Sequence, residues 1–459
     1  MVTLQENRQS KPIAKVPEPN VPRWLQTFRG ILWPLKYLEK TAKDCGDIYV
    51  AKFAGFPNQV ILGNPKAIEE LFTSDHKLFE SAPTNQILQP LLGSYSLILH
   101  DGAYHQRQRK LLMPPFHGER MKAYGEIICE VTEKVIGDWK IGQPFTARHY
   151  TQEISMRVIL RAVFGLAEGE RYEQLNEKLT SLLEITGSPL SSSFLFLRSL
   201  QKDLGSWSPW GKFLRQRQEI DELLYAEIRE RRAKNDLSGQ DILSLMLAAR
   251  DEEGQPMTDE ELKDELMTLL FAGHETTATA LAWALYWIHL LPEVKEKLLH
   301  ELNGLGENPD LNAIAKLPYL NAICCETLRI YPVVLFTFAR IPKEPVEIMG
   351  YQLEAGTMIS PCIYLVHHRE DLYPEPKQFK PERFLERQYS PFEFFPFGGS
   401  NRRCIGMAFA MFEMKLVLAT ILLKTELALA EKRPVFPVRR GVTMTPAGGV
   451  RLVLNSLKR

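Results

Sequence analysis

FPFGGSNRRCIGMAFAMFEMKLVLATILL, residues 395–423, decides how this chain is read. A Gly-Gly-Ser-Asn turn comes first, then a single cysteine, Cys404, and then an almost wholly apolar helical run. Cys404 therefore stands just before a helix N-terminus, where free amides and the helix dipole stabilise a thiolate. Arg402 and Arg403 add local positive charge. Burial among apolar neighbours pulls the other way, towards the neutral thiol. A metal bound to the sulfur resolves that conflict, because coordination deprotonates the thiol outright. Pro396 and Phe397 are placed to shield such a sulfur from water.

Upstream of that stretch, Thr258 and Glu261 fit a capping box, and helical patterning then continues to Leu291, just before Pro292. At 1.5 Å per residue this is about 30 residues and roughly 45–50 Å, long enough to run through the centre of the molecule. Within it lies AGHETT (272–277). Gly273 weakens the helix by about 1 kcal/mol relative to Ala, and the Thr276 and Thr277 hydroxyls can bond back to carbonyls one turn earlier. Taken alone, a tolerated glycine and satisfied hydroxyls explain this motif as well as a function does. ETLR (326–329) and PERF (381–384) follow in order. A Glu-x-x-Arg pattern by itself arises about once by chance in a chain this long. HQRQRK (105–110) sets His105 and Arg109 one helical turn apart on one face.

The rest of the chain is mostly helical in pattern: AIEELF (67–72), residues 119–139, 218–234 and 293–302 carry apolar residues at three- and four-residue spacing. IYVAKFAG (48–55) and NQVILG (58–63) read as a hairpin, and strands are expected again at VEIMGYQL (346–353) and VRLVL (450–454). Pro12, Pro17, Pro19 and Pro22 stiffen residues 1–23 into an extended arm, with a loose tail as the alternative. No Gly/Ser linker divides the 459 residues, so one domain over 1–459 is expected. Lys+Arg and Asp+Glu both total 56, which removes the overall basic field that nucleic-acid binding would need. The six cysteines form no Cys-x-x-Cys, and they read as reduced thiols of a cytoplasmic protein. The N-terminal residues lack the apolar core of a signal peptide, and no run of 18 uncharged apolar residues offers a membrane anchor.

Phe397, Gly398, Arg402, Cys404 and Gly406 resemble the haem-binding loop of the cytochrome P-450 family, the haem-thiolate monooxygenases. One position departs from the family pattern: Ser400 stands where the family usually has Gly, and a positive φ there would strain the turn. AGHETT resembles the family's oxygen-activation motif, with Glu275 and Thr276 as its acid–alcohol pair. Glu326, Arg329 and Arg383 match a buried ion network behind the haem. Two arginines facing one carboxylate imply that backbone carbonyls share the load.

The resemblance implies a fold that is mainly α with a small β portion, and haem b between the long central helix and the helix after Cys404. In it Cys404 is the axial ligand, and His105, Arg109, Arg340 and Arg402 meet the propionates. Phe397, Gly406 and Ala272 complete the cofactor set. The implied reaction is insertion of one atom of O2 into a C–H bond, because a thiolate pushes electron density onto the iron and favours O–O cleavage. Thr276 would hold an ordered water, and Glu275 would link that water to a proton source. His274 has no assigned role.

Leu88, Leu91, Phe271, Ala272, Val333, Val334 and Phe336, with the segment 188–210, match the family's substrate walls. Their composition suggests a long apolar substrate such as a fatty acid or terpenoid, with Arg198 or Lys202 available to meet a carboxylate. No flavin or ferredoxin segment is fused, so electrons are expected from a separate ferredoxin or flavodoxin with its NAD(P)H reductase. Arg107, Lys110, Arg120, Lys122, Arg403 and Lys415 are candidates for a basic docking patch. Other classes are a haem-thiolate isomerase or peroxide-driven enzyme, a non-catalytic haem sensor, and a cysteine hydrolase. The Glu275–Thr276 pair weighs against the isomerase or peroxide-driven enzyme and the sensor, and no His/Asn arrangement supports the hydrolase.

Overall fold

A computed structural model describes residues 15–458, apart from residues 117, 119, 188–200, 206, 235–238, 240, 307 and 308. Two short helices, α1 (Arg23–Leu32) and α2 (Pro34–Cys45), lead into the antiparallel pair β1 (Ile48–Ala51) and β2 (Gln59–Leu62). Their register sets Ile48 opposite Leu62 and Ala51 opposite Gln59. The described end of the proline-bearing arm lies along this pair: the Val50 amide donates to the Pro17 carbonyl at 2.8 Å, and Val16 is buried.

Next come α3 (Gly102–Leu112), α4 (Arg120–Gly137), β3 (Pro144–Thr146), α5 (Ala147–Phe164) and α6 (Pro209–Lys234). The last of these starts well before residue 218, because Pro209 suits a first helical turn that has no use for its missing amide. The long helix is α7 (Asp259–Leu290), 32 residues. Both halves of its capping box form: Glu261 N donates to Thr258 Oγ1 at 3.1 Å, and Thr258 N donates to Glu261 Oε2 at 2.8 Å. After it come α8 (Pro318–Ile330), β4 (Met358–Pro361), α9 (Met407–Lys424), β5 (Thr425–Leu429) and β6 (Arg451–Leu457).

Helix α7 is the axis of the fold. It packs on α5, α6, α8 and α9, which is why it is apolar over most of its surface rather than along one stripe. Gly273 is needed where α5 comes closest: a Cβ there would lie 3.0 Å from Ile159 Cδ1. The β portion is split into small sheets. β4 joins β2 in parallel to make a three-stranded sheet with β1, and β6 runs between β3 and β5. Residues 346–353 are not one strand but a hairpin of Val346–Ile348 with Tyr351–Leu353. Met349 and Gly350, at φ 48° and 81°, make the tight turn whose twist suits such a pair.

Candidate functional site

The loop before α9 is fixed by its backbone. The Cys404 amide donates to the Phe397 carbonyl at 2.9 Å, closing the loop, and Gly406 caps the helix. Gly398 has φ +68°, and a Cβ on Gly399 would fall 2.3 Å from the Phe72 ring, so neither position accepts a side chain easily. Ser400 adopts φ +57°, so the departure from glycine noted in the sequence falls on a left-handed residue. Cys404 lies deep, where burial pushes its thiol up, while the Gly406 amide, Arg109 and Arg403 pull it down. Yet its side chain keeps accessible surface. Deep placement with open surface is the mark of a group that lines an internal space.

Helix α7, packed against α9, carries a matching opening. Ala272 is exposed, and Leu269, Gly273 and Thr276 are half-buried, although residues 277–286 are buried throughout. Positions 269, 272, 273 and 276 share one face at three- and four-residue spacing. Thr276 Oγ1 donates to the Ala272 carbonyl at 2.6 Å. Glu275 points elsewhere, towards α5: Arg148 Nη2 donates to Oε1 at 2.5 Å, and Gln152 Nε2 donates to Oε2 at 2.9 Å. The acid of the pair is thus held by an arginine and an amide that the sequence motif does not reveal. His274 is buried, and burial pushes its pKa down to about 4, so its ring is neutral.

Basic side chains gather at one edge. Asp101, Arg340 and Arg402 line a single cleft. Arg402 donates to Asp101, to the His100 carbonyl and, at 3.2 Å, to the Leu97 carbonyl. Arg340 donates to Ser81 Oγ at 3.1 Å. His105 is buried, and its pKa is pushed down to about 3 by burial and then by Arg402, Arg109 and Arg340. Arg109 Nη1 donates to the Arg403 carbonyl at 2.7 Å. Among the described residues, Asp101 is the carboxylate that bears on Arg340 and Arg402, and it already accepts from the Ser81 and Ala82 amides as well. Arg402 Nε is buried without a hydrogen-bond partner among the described residues. The cluster has positive charge to spare, which is what a ligand bearing carboxylates requires.

Glu326, Arg329 and Arg383 come together behind α8, all 8% exposed or less. Arg329 donates to both Glu326 oxygens at 2.6 and 2.8 Å, and Arg383 Nε donates to Oε1 at 3.1 Å. The surplus cation is met by backbone: Arg329 also donates to the His367 carbonyl at 2.8 Å and Arg383 to the Pro374 carbonyl at 3.2 Å. This net ties α8 to the segment leading into the cysteine loop.

The apolar candidates scatter more widely. Leu88, Phe271 and Val333 sit half-buried on the main core, Val334 packs on the cluster around β2, and Phe336 packs with Tyr37 and Tyr49 on the β side. Leu91 is buried at 1% exposure and its carbonyl accepts from Arg217 Nε at 2.9 Å, so it is core rather than open wall. Of 188–210, residues 188–200 and 206 lie outside the described residues, Arg198 included, and Lys202 is exposed. The basic patch also thins out. Arg107 is spent on Asp251 and Glu261, Lys110 on Glu252 and Lys415 on the Ala315 carbonyl, which leaves Arg120, Lys122 and Arg403 of the six.

Sequence reasoning passed over Asp101, Arg148, Gln152 and Glu413. Glu413 was detectable as the lone carboxylate in the apolar run of α9. It is buried, burial pushes its pKa up to about 8, and its hydrogen-bond partner is Ser155 of α5. The others carry no local signal, because Asp101 meets Arg402, and Arg148 and Gln152 meet Glu275, across more than 100 residues of sequence.

An open deep cysteine, an open stripe on the facing helix and a cation cluster with an unpartnered arginine nitrogen fit a flat, iron-bearing group with carboxylate arms. Among the described residues no three His, Cys, Asp or Glu side chains gather into a metal cage. The class so defined is a haem-thiolate protein. A sequence model of the cytochrome P450 family matches residues 17–452. Cytochrome P450 135B1 of Mycobacterium tuberculosis is 36% identical over 437 residues, 95% of this chain and 90% of that one. Cytochrome P450 138 of Mycobacterium bovis is 32% identical over 450 residues, 96% and 97% of the two chains. Among solved structures, the retinoic acid-bound cyanobacterial CYP120A1 superposes with a TM-score of 0.83 at 25% identity, covering 97% of this chain and all of that one. The haem domain of cytochrome P450DA shares the fold, with a TM-score of 0.84 at 22% identity over 98% of each chain. The chain belongs to the cytochrome P450 family: it is a haem-thiolate monooxygenase with O2 as co-substrate.

Proposed function

We propose that this enzyme, a single catalytic domain, hydroxylates a long, apolar substrate, a fatty acid or terpenoid, on electrons from a separate ferredoxin or flavodoxin served by an NAD(P)H reductase. Held by the side chains of α7 and the α9 loop, haem would supply the oxygen-activating chemistry. Cys404 holds it from the α9 side, with the Gly406 amide and the charges of Arg109 and Arg403 stabilising the sulfur anion. Arg340, Arg402 and Arg109 would meet the propionates, and His105 would add a neutral N–H. On the α7 side the Thr276 hydroxyl, whose hydrogen rests on the Ala272 carbonyl, is free to accept from a water. Glu275, held by Arg148 and Gln152, would link that water to a proton source.

The observation that carries the substrate reading is the face of α7 at Leu269, Ala272, Gly273 and Thr276, which offers one hydroxyl and no charge. CYP120A1, solved with retinoic acid, gives further support, since that ligand is a long hydrocarbon with a carboxylate end. Titrating the oxidised enzyme with fatty acids, isoprenoid acids and small aromatics tests it. A substrate that displaces water from iron shifts the Soret band to shorter wavelength. The long acids or isoprenoids should do so, and a response confined to small aromatics would overturn the reading.

A further inference from the structure

Helix α1 is mounted with its apolar side outward. Its sequence, RWLQTFRGIL, is strongly amphipathic, yet the one buried residue is Gln26. Gln26 Nε2 donates to the Val21 carbonyl at 2.8 Å, and its Oε1 accepts from the Tyr37 hydroxyl at 2.9 Å and the Lys52 amide at 3.0 Å. Thr27 Oγ1 accepts from the Ala54 amide at 2.8 Å. Gly30 lies so close to the Phe53 ring that a Cβ would come within 2.7 Å of it. The polar side of the helix is therefore the side fastened to α2 and the β1–β2 hairpin.

The other side faces out. Trp24, Phe28, Ile31 and Leu32 are 68%, 50%, 50% and 51% exposed, Trp33 packs edge-on against Phe28 with ring centres 5.9 Å apart, and Phe56 of the hairpin turn is exposed too. At about 100° per residue, positions 24, 28, 31 and 32 fall within a stripe roughly 100° wide. Arg23 and Arg29 flank it, one on each side. Lys36, Lys40 and Lys43 of α2 are exposed. No ion pair joins any of these five cations to a carboxylate among the described residues; Arg23 bonds Asn58, and nearby Glu39 is taken by Lys377. Contiguous exposed apolar surface with a basic rim marks an interaction site.

We propose that α1 docks this enzyme on the surface of an anionic lipid bilayer, lying in the headgroup plane with Trp24, Phe28, Ile31 and Leu32 in the acyl boundary. Three features favour lipid. Tryptophan occupies both ends of the stripe and sits well at a membrane–water interface. Long basic side chains beside an apolar stripe can snorkel to phosphate. A second copy of this chain would instead bring two basic rims against each other across a twofold axis. Such a helix lies on a membrane without crossing it, and among the described residues no helix is long and apolar enough to cross.

The test uses the haem-loaded full chain and vesicles of equimolar phosphatidylglycerol and phosphatidylcholine. Flotation should recover the enzyme with these vesicles about ten-fold better than with phosphatidylcholine alone, and high salt should weaken the binding. Phe28→Asp/Ile31→Asp should lower recovery about ten-fold while the carbon-monoxide difference spectrum stays unchanged. Trp24→Phe/Trp33→Phe should float normally yet lose the fluorescence quenching that brominated acyl chains cause in the unaltered enzyme, a readout that does not depend on the aspartate variant folding. Failure to float, flotation that the aspartates leave untouched, or a sedimentation dimer that they dissociate in place of vesicle binding would each overturn the proposal.

Discussion

At Cys404 two influences oppose each other. Burial pushes the thiol up, and an amide with two arginines pulls it down without winning. Iron is what settles the balance in favour of the anion. Cys404→Ser should therefore abolish the red-shifted carbonyl band of the reduced carbon-monoxide complex; an unchanged spectrum would remove this residue as ligand. Thr276→Ala should keep haem but divert NADPH equivalents to hydrogen peroxide, and full product yield per NADPH would contradict the relay. Arg148 is a positioning residue, acting through Glu275 at 2.5 Å. We expect Arg148→Gln to lower product per NADPH several-fold with little change in KM, and Arg148→Lys to restore part of it. A variant that changes KM alone would make Arg148 structural.

Among the elements, the cysteine loop carries backbone strain. Ser400 sits at φ +57°, a conformation costing a non-glycine residue about 1 kcal/mol or more. Ser400→Gly removes that strain and gives back part of the gain by loosening the unfolded chain. The expected result is a stabilisation of about 0.5 kcal/mol or slightly more, read as a higher urea midpoint with unchanged slope. A lower midpoint would mean that the serine side chain makes a contact of greater worth. Helix α7 was readable end to end from Thr258, Glu261 and Pro292, because caps and stops are local chemistry. The start of α6 was not: nothing between Pro209 and residue 218 repeats cleanly, and the helix is buried by packing on Glu170–Gly187 and on α7.

For the molecule as a whole, acid is the stress to expect. His105 and His368 have pKa values pushed down to about 3 and His274 and His289 to about 4, and His367 lies well below its ordinary value, each chiefly by burial. An unfolded histidine takes a proton near pH 6.5. Below that the unfolded chain holds the extra protons, so stability falls as pH drops, by about 1.4 kcal/mol per unit for each unmatched proton. Glu265 and Glu413 work in the opposite sense. Burial raises both, so the folded chain keeps protons that the unfolded one releases above its ordinary carboxylate range, and acidification favours folding through them. Five groups against two leaves a net loss. The urea midpoint should fall between pH 7 and pH 5, and a flat or rising midpoint would show that these rings are not held neutral.

Sequence alone determined the fold class, the long helix and the neighbourhood of the cysteine, because each is written in short-range spacing: a cap three residues from its partner, a glycine turn beside a thiol, an i,i+3 pair. Tertiary structure alone decided which charges meet. Arg402 finds Asp101 some 300 residues away, Glu275 finds Arg148 from another helix, and Leu91 turns into the core although its neighbours are as apolar as a pocket wall. Periodicity records which face of a helix avoids water, but not what that face packs against. That is why the open stripe on α7 and the outward apolar side of α1 became visible only once the chain was folded.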